Sequence, residues 1–314
     1  MALFGGAKTN SFLGVDIGAS SIKIVELMNE KGRAKLMTYG YVERGAEQAG
    51  TSPFDHPKDT GVQLGQLLKQ ADVKTTKAMA ALPLSNVFTT IIAIPRKKNE
   101  KEMKPLIDAQ LSKLTPLPLE EMITYSTYID DMKKPEPQKK KKEKSGEKIE
   151  KQEKESKYVR VLVTGAAKTL VQKYITIFKG AKLELQAIDT ESFALIRSLV
   201  GKDKGAIMIL DMGEKRTNIT IVEKGIPFLT RSINIGGTSV TKRIMEQMGL
   251  SEQEAERMKQ DLGTMASQGA TAAGGMPAIL EAMMHPILNE IQYAFQLYAA
   301  MELTELKKVE KINV

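Results

Sequence analysis

The chain has 314 residues, 42% hydrophobic and 27% charged, with no cysteine and two isolated histidines, His56 and His285. That length exceeds one compact core, so two or more subdomains are expected. The lack of thiols excludes a disulfide framework and thiolate metal centres, and the lone histidines are a poor basis for zinc or His-dependent triads. No apolar run approaches the roughly 18–20 residues that span a bilayer, and the start lacks a signal-peptide pattern. Direct transmembrane insertion is therefore not expected, and any membrane attachment would come through a partner.

The net charge of +8 invites a nucleic-acid reading, but its distribution argues against one. Residues 133–157 carry eleven lysines against six glutamates, with Pro135, Pro137 and Gly146 and almost no apolar side chain. Such a run is expected to be a solvated, disordered loop rather than a basic face on folded structure.

In chain order, 12–17 and 21–27 read as β-branched strands split by Gly18-Ala19-Ser20. A strand over 34–43, a Gly/Pro/Asp-rich stretch over 45–57, a helix near 60–71 and a strand over 77–82 follow. Residues 87–94 are strand-like up to Pro95. The next stretch predicts a helix over 100–114 ending before Pro116, strands over 123–129 and 158–164 on either side of the charged loop, and a helix over 168–178. From Gly205, a buried-type strand ends in Asp211-Met212-Gly213. Strands over 218–223 and 227–233 continue a meander, and Gly236-Gly237 opens a helix. Ser251 with Glu254 predicts a capping box. Ile287, Ile291, Ala294, Phe295 and Tyr298 mark a long buried helix, with His285-Pro286 at its start or at a kink. Residues 309–314 read as the opening of a strand.

The chemistry is concentrated at the turns. Asp16 and Gly18 sit where one strand folds tightly into the next. Gly18 lets backbone approach a phosphate, while Ala19, Ser20 and Ser21 can donate to its oxygens. Asp16 suits a magnesium ion held through water, and Lys23 can reach phosphate charge. Taken alone, Asp-x-Gly-x-Ser is equally compatible with an ordinary Gly/Ser turn. Asp211, Gly213, Thr217 and Asn218 repeat the plan, and two such hairpins can grip phosphates from opposite sides of a cleft. Gly236-Gly237 is either a strand-to-helix turn or an anion-favouring helix start. Glu191 could orient a water or metal, or simply favour a helix N-terminus. Glu256 and Lys259 could address a ribose and base, or form a solvated i, i+3 pair.

Residues 13–27, Leu-Gly-Val-Asp-Ile-Gly-Ala-Ser-Ser-Ile-Lys-Ile-Val-Glu-Leu, resemble the opening of the PilM family of type IV pilus assembly, which is related to the division protein FtsA. The likeness extends to Pro-Leu-Pro-Leu-Glu-Glu at 116–121, to 189–197, to Leu-Asp-Met-Gly at 210–213, to Gly-Gly-Thr-Ser-Val-Thr at 236–241, and to the helix around Glu290. The resemblance implies an α/β, actin-like (ribonuclease H-like) fold of two halves. The expected division is 1–85 as the first subdomain, 86–185 as an inserted 1C (SHS2-type) subdomain, and 186–314 as the second half. It implies ATP and Mg bound between the halves. Asp16, Gly18, Ala19, Ser20, Ser21 and Lys23 match the first phosphate motif, and Asp211, Gly213, Thr217 and Asn218 the second. Gly236, Gly237 and Thr241 match the following helix, Glu256 and Lys259 the nucleoside-contacting one. Asp16 and Asp211 would hold the metal through water. The implied partner is the N-terminal peptide of a PilN-like inner-membrane protein within the pilus platform, with the chain cytoplasmic and peripheral to the inner membrane. Turnover would be a slow ATPase at most, with Glu191 positioning water. Alternatives are an FtsA-like membrane-tethered polymer former and a small-molecule kinase of the same superfamily. The sequence departs from the family in its long charged loop and in lacking a Gly-rich adenosine motif after 309–314, so a fragment of a longer protein is expected.

Overall fold

The structure, a computed structural model, describes residues 11–44, 51–97, 99–130, 157–267 and 278–314. The expected disordered loop at 133–157 lies, but for Lys157, outside the described residues. In chain order the elements are β1 (Ser11–Ile17), β2 (Ser21–Glu30), β3 (Arg33–Glu43), α1 (Pro57–Gln70), β4 (Lys77–Leu82), β5 (Val87–Pro95), α2 (Glu100–Leu114), β6 (Met122–Tyr128) and β7 (Tyr158–Ala167). They continue with α3 (Lys168–Gly180), β8 (Glu184–Thr190), α4 (Glu191–Leu195), β9 (Ala206–Met212), β10 (Thr217–Glu223), β11 (Ile226–Ile233), α5 (Gly237–Met248), α6 (Glu252–Ser267), α7 (Ala278–Ala300) and β12 (Lys311–Asn313). Two compact units result: a larger one of Met1–Val87 with Thr169–Val314, and a smaller one of Phe88–Lys168.

The larger unit holds two sheets built on one plan. In the first, of order β3-β2-β1-β4-β8, β1, β2 and β3 form an antiparallel meander, and β4 then joins β1 in parallel. In the second, of order β11-β10-β9-β12, β9, β10 and β11 form the meander and β12 joins β9 in parallel. Both place the first strand of the meander inside the sheet, so the turn that follows it emerges between flanking strands.

Side-chain alternation makes β1 and β2 half-buried strands: Leu13, Val15, Ile17, Ile22 and Ile24 face the core. In β9, residues 206–210 are buried without a break, as a strand covered on both faces requires. Helix α1 starts at Pro57, earlier than the periodicity suggests, because proline's fixed φ and missing N–H suit the first helical turn. It packs Leu64 and Leu67 inward and crosses α3 at Gly61, where an added Cβ would lie 2.8 Å from the Ile177 carbonyl oxygen. Ser251 and Glu254 form the expected capping box at the start of α6: Glu254 accepts from the Ser251 N–H at 2.9 Å and its own N–H donates to Ser251 Oγ at 3.4 Å. Helix α7 does not start at His285-Pro286 but runs through it from Ala278. Buried Ile287, Ile291, Ala294 and Tyr298 hold it in place beyond the one hydrogen bond that a proline removes.

The smaller unit is a three-stranded sheet, order β5-β7-β6, covered by α2. Met103, Ile107 and Leu111 recur at helical spacing and pack on Ile92, Ile94, Val159, Val161 and Val163. Asn99 caps α2 by accepting from the Glu102 N–H at 3.0 Å. Arg160 closes the open end of the β6–β7 pair, with Nη2 and Nε donating to Asp130 at 2.7 and 3.0 Å.

Candidate functional site

The first meander strand of each sheet in the larger unit ends in Asp-x-Gly, and both turns close identically. The Gly18 N–H donates to the Ser21 carbonyl at 2.9 Å, and the Gly213 N–H to the Arg216 carbonyl at 2.8 Å. An added Cβ would stand 3.2 Å from the same carbonyl oxygen in both turns. The strand register sets Asp16 opposite Lys23 and Asp211 opposite Asn218. Asp16 and Lys23 form a loose ion pair at 3.7 Å, both more than half-exposed, a contact of small energetic weight. Asp211 accepts from Asn218 Nδ2 at 3.2 Å, and Asn218 in turn accepts from Ser232 at 2.8 Å. Thr217 is fully buried and donates to the Ile235 carbonyl at 2.7 Å, so its hydroxyl braces the segment that leads to Gly236.

Glu191 opens α4 at the end of β8, behind Thr190, whose side chain caps the helix. Its carboxylate accepts from the Leu84 N–H at 2.8 Å. Burial pushes its pKa up to about 7 against that hydrogen bond, with the charges of Asp16 and Asp211 adding to the shift. Partial desolvation by the surrounding protein, with about half of the side chain still open to water, raises Asp16 as well, opposed by Lys23 and reinforced by Asp211. These three carboxylates therefore share one electrostatic field. Glu191, Ser192, Asp211 and Asn218 line a common crevice with Leu84. Buried Ser192 Oγ has no hydrogen-bond partner among the described residues. Tyr174 of α3 is also near: its pKa is raised by burial and by Glu191 and Asp16, and its hydroxyl donates to the Ala81 carbonyl at 2.9 Å. Among the described residues no group of three or more His, Cys, Asp or Glu side chains is arranged to hold a metal directly.

The remaining candidates cluster on the second hairpin. An added Cβ at Gly236 would fall 2.4 Å from the Glu214 carbonyl oxygen and 2.6 Å from that of Gly213; no residue but glycine fits. The amides opening α5 are already committed there, Gly237 N–H donating to Gly213 O at 3.0 Å and Thr238 N–H to Glu214 O at 2.9 Å. Thr241, one turn on, lies 2.8 Å from Glu256 and 3.0 Å from Lys259 Nζ, and Lys259 pairs with Glu256 at 2.7 Å. Burial works against the Glu256 charge, but the hydrogen bonds from Lys259 and Thr241 outweigh it and hold the pKa below the usual carboxylate range. Lys259 Nζ would stand 3.5 Å from a Cβ at Gly237.

Two contributors, Arg44 and Tyr174, have no local sequence signal, and a third, Thr238, lies inside the 236–241 motif without having been singled out there. Arg44 follows β3 and donates to the Ala19 carbonyl at 2.8 Å; Thr238 Oγ1 donates to the Glu214 carbonyl at 2.8 Å.

The chain resembles known proteins along most of its length. A family model for type IV pilus assembly protein PilM matches residues 14–140 and 146–314. The cell division protein FtsA of Bacillus subtilis (strain 168) is 31% identical over 104 residues, which are 32% of this chain and 23% of FtsA. A solved PilM–PilN type IV pilus biogenesis complex superposes with a TM-score of 0.70 at 19% identity, covering 93% of this chain and 78% of that one. The ethanolamine utilization protein EutJ of Carboxydothermus hydrogenoformans gives 0.51 at 13% identity, over 98% of this chain and 77% of that one. The fold is thus the α/β, actin-like one, and the chain belongs to the type IV pilus assembly protein PilM family.

Proposed function

We propose that the chain binds ATP with magnesium between the two hairpins and serves as a nucleotide-responsive adaptor in type IV pilus assembly. The observation that carries this reading is the pair of identically closed Asp-x-Gly turns, whose carboxylates Asp16 and Asp211 share a field with Glu191. Two like-shaped turns offer backbone amides and hydroxyls to a phosphate chain, and clustered carboxylates call for a divalent cation between them. Asp16 and Asp211 would hold the ion through water. The Thr241, Glu256 and Lys259 network next to Gly237 would address the ribose and base, its ion pair opening to do so.

Turnover would be slow at most, with Glu191, its pKa pushed up to about 7, as the group that orients water. ATP then acts by favouring one arrangement of the unit over another rather than as rapid fuel. Family membership and the likeness to a PilM–PilN complex support a partner of the PilN kind. Its short N-terminal peptide would bind as an extended segment and hold the chain at the cytoplasmic face of the inner membrane.

Titration calorimetry with ATP and magnesium tests the reading. Binding is expected to need the metal and to vanish in Asp16→Ala. Unchanged affinity in that variant, or equal binding in EDTA, refutes it.

A further inference from the structure

The two hairpins share a backbone orientation that is held by different parts. The residue after the glycine, Ala19 in one and Glu214 in the other, has its carbonyl clamped from outside the turn. In the first hairpin Arg44 Nη1 donates to Ala19 O at 2.8 Å and to Thr51 O at 2.8 Å, while the Arg44 N–H donates to Ser20 O at 2.7 Å. In the second, the Thr238 N–H and Oγ1 donate to Glu214 O at 2.9 and 2.8 Å. Among the described residues no peptide bond is cis, and in a trans peptide the N–H points opposite to the C=O. Fixing the carbonyls of Ala19 and Glu214 therefore turns the amides of Ser20 and Lys215 to the far side of their turns.

We propose that Arg44 and Thr238 are positioning residues for a phosphate chain, each setting one amide, Ser20 N–H or Lys215 N–H, to donate to its oxygens. The inference rests on the nucleotide reading above and adds to it which groups aim the turns. Neither residue touches the ligand. Arg44 acts through a guanidinium that also ties the hairpin to Thr51, and Thr238 acts from the first turn of α5. The Glu214 side chain offers no positive charge to a phosphate, and one of its carboxylate oxygens is buried without a partner among the described residues. The turn's positive ends are its backbone N–H groups together with the exposed Lys215 and Arg216 side chains.

The test compares the intact chain with Arg44→Ala, Arg44→Lys, Thr238→Val and Thr238→Ser. Calorimetry gives the ATP·Mg affinity, and amide resonances of Ser20 and Lys215 are followed by ¹H–¹⁵N spectroscopy. In the wild type both resonances shift on adding ATP·Mg. Arg44→Ala is expected to weaken binding about tenfold and to abolish the Ser20 shift while leaving that of Lys215. Thr238→Val is expected to do the reverse with a smaller loss of affinity, since its backbone N–H remains. Arg44→Lys and Thr238→Ser restore part or all of each effect, which general loosening of the fold would not produce; should Arg44→Ala fail to fold, Arg44→Lys and Thr238→Val carry the test. Loss of both shifts together in either variant, or wild-type affinity and shifts in both, overturns the proposal while leaving nucleotide binding intact. Absence of ATP binding and of both shifts in the wild type overturns the nucleotide reading and the proposal with it.

Discussion

Gly236→Ala is the most searching perturbation of this arrangement. The new Cβ would lie 2.4 Å from the Glu214 carbonyl oxygen, 2.6 Å from its carbon and 2.6 Å from the Gly213 oxygen. All three are backbone atoms, so no side chain can swing aside, and Gly236 is itself extended (φ −155°), so the obstacle is space rather than torsion. Relief requires α5 to withdraw from the hairpin, which stretches three hydrogen bonds: Gly237 N–H to Gly213 O, Thr238 N–H to Glu214 O, and Thr238 Oγ1 to Glu214 O. At about 1 kcal/mol each, the expected loss is about 2–3 kcal/mol. For a unit of this size that corresponds to a fall in midpoint of about 4–12 °C. The same withdrawal carries Gly237, Thr241 and the Lys259–Glu256 pair away from the second hairpin and releases the Glu214 carbonyl, so the proposed ATP·Mg affinity is expected to fall as well. Differential scanning calorimetry of the apo chain and calorimetric titration together read both effects. An unfolding midpoint within about 1 °C of wild type would refute the close-approach argument.

Glu191 predicts a pH dependence of stability. Its folded pKa of about 7 stands above the ordinary 4.5, so the native state binds the proton more tightly than the unfolded chain does. Stability from this group is present below the unfolded value and is lost as pH rises toward about 7. Urea unfolding between about pH 5 and pH 8 should show wild type losing stability relative to Glu191→Gln as pH rises, with the change levelling off above the folded pKa. A constant difference would show that Glu191 is not desolvated. Tyr298→Phe removes the hydroxyl that donates to buried Glu223 at 2.6 Å; because Glu305 and Leu306 N–H groups still reach that carboxylate, the loss should be about 1–3 kcal/mol by urea unfolding. Met103→Ala, at a position with no exposed surface in the smaller unit, should cost about 2–5 kcal/mol, and hydrogen exchange should rise in α2 and β7 while β9 stays protected.

The contributors that only the fold brings together are separated along the chain. Glu191 is bonded to Leu84 across 107 residues and Ala19 to Arg44 across 25. No local pattern distinguishes Arg44 from any other arginine after a strand. A surface role for Thr217 could not be told from a buried one by spacing, yet its hydroxyl is turned inward to Ile235. Gly236-Gly237 reads locally as either a turn or an anion site, and in the fold the first amides of α5 serve the neighbouring hairpin instead.

What the sequence determined by itself is short-range. The period-2 runs of β1 and β2, the unbroken apolar run of β9, the helical spacing of α2 and the Ser251–Glu254 cap are each settled within a few residues, because side-chain direction and capping depend on neighbouring dihedrals. The Asp-x-Gly turns belong to the same class, since their closing hydrogen bond joins Gly18 to Ser21 and Gly213 to Arg216, close neighbours in sequence. Which strand lies beside which, the shared field of Asp16, Glu191 and Asp211, and the clamps on Ala19 and Glu214 were decided only by tertiary structure. Carbonyl orientation and desolvation depend on atoms that the chain brings close in space after long detours in sequence.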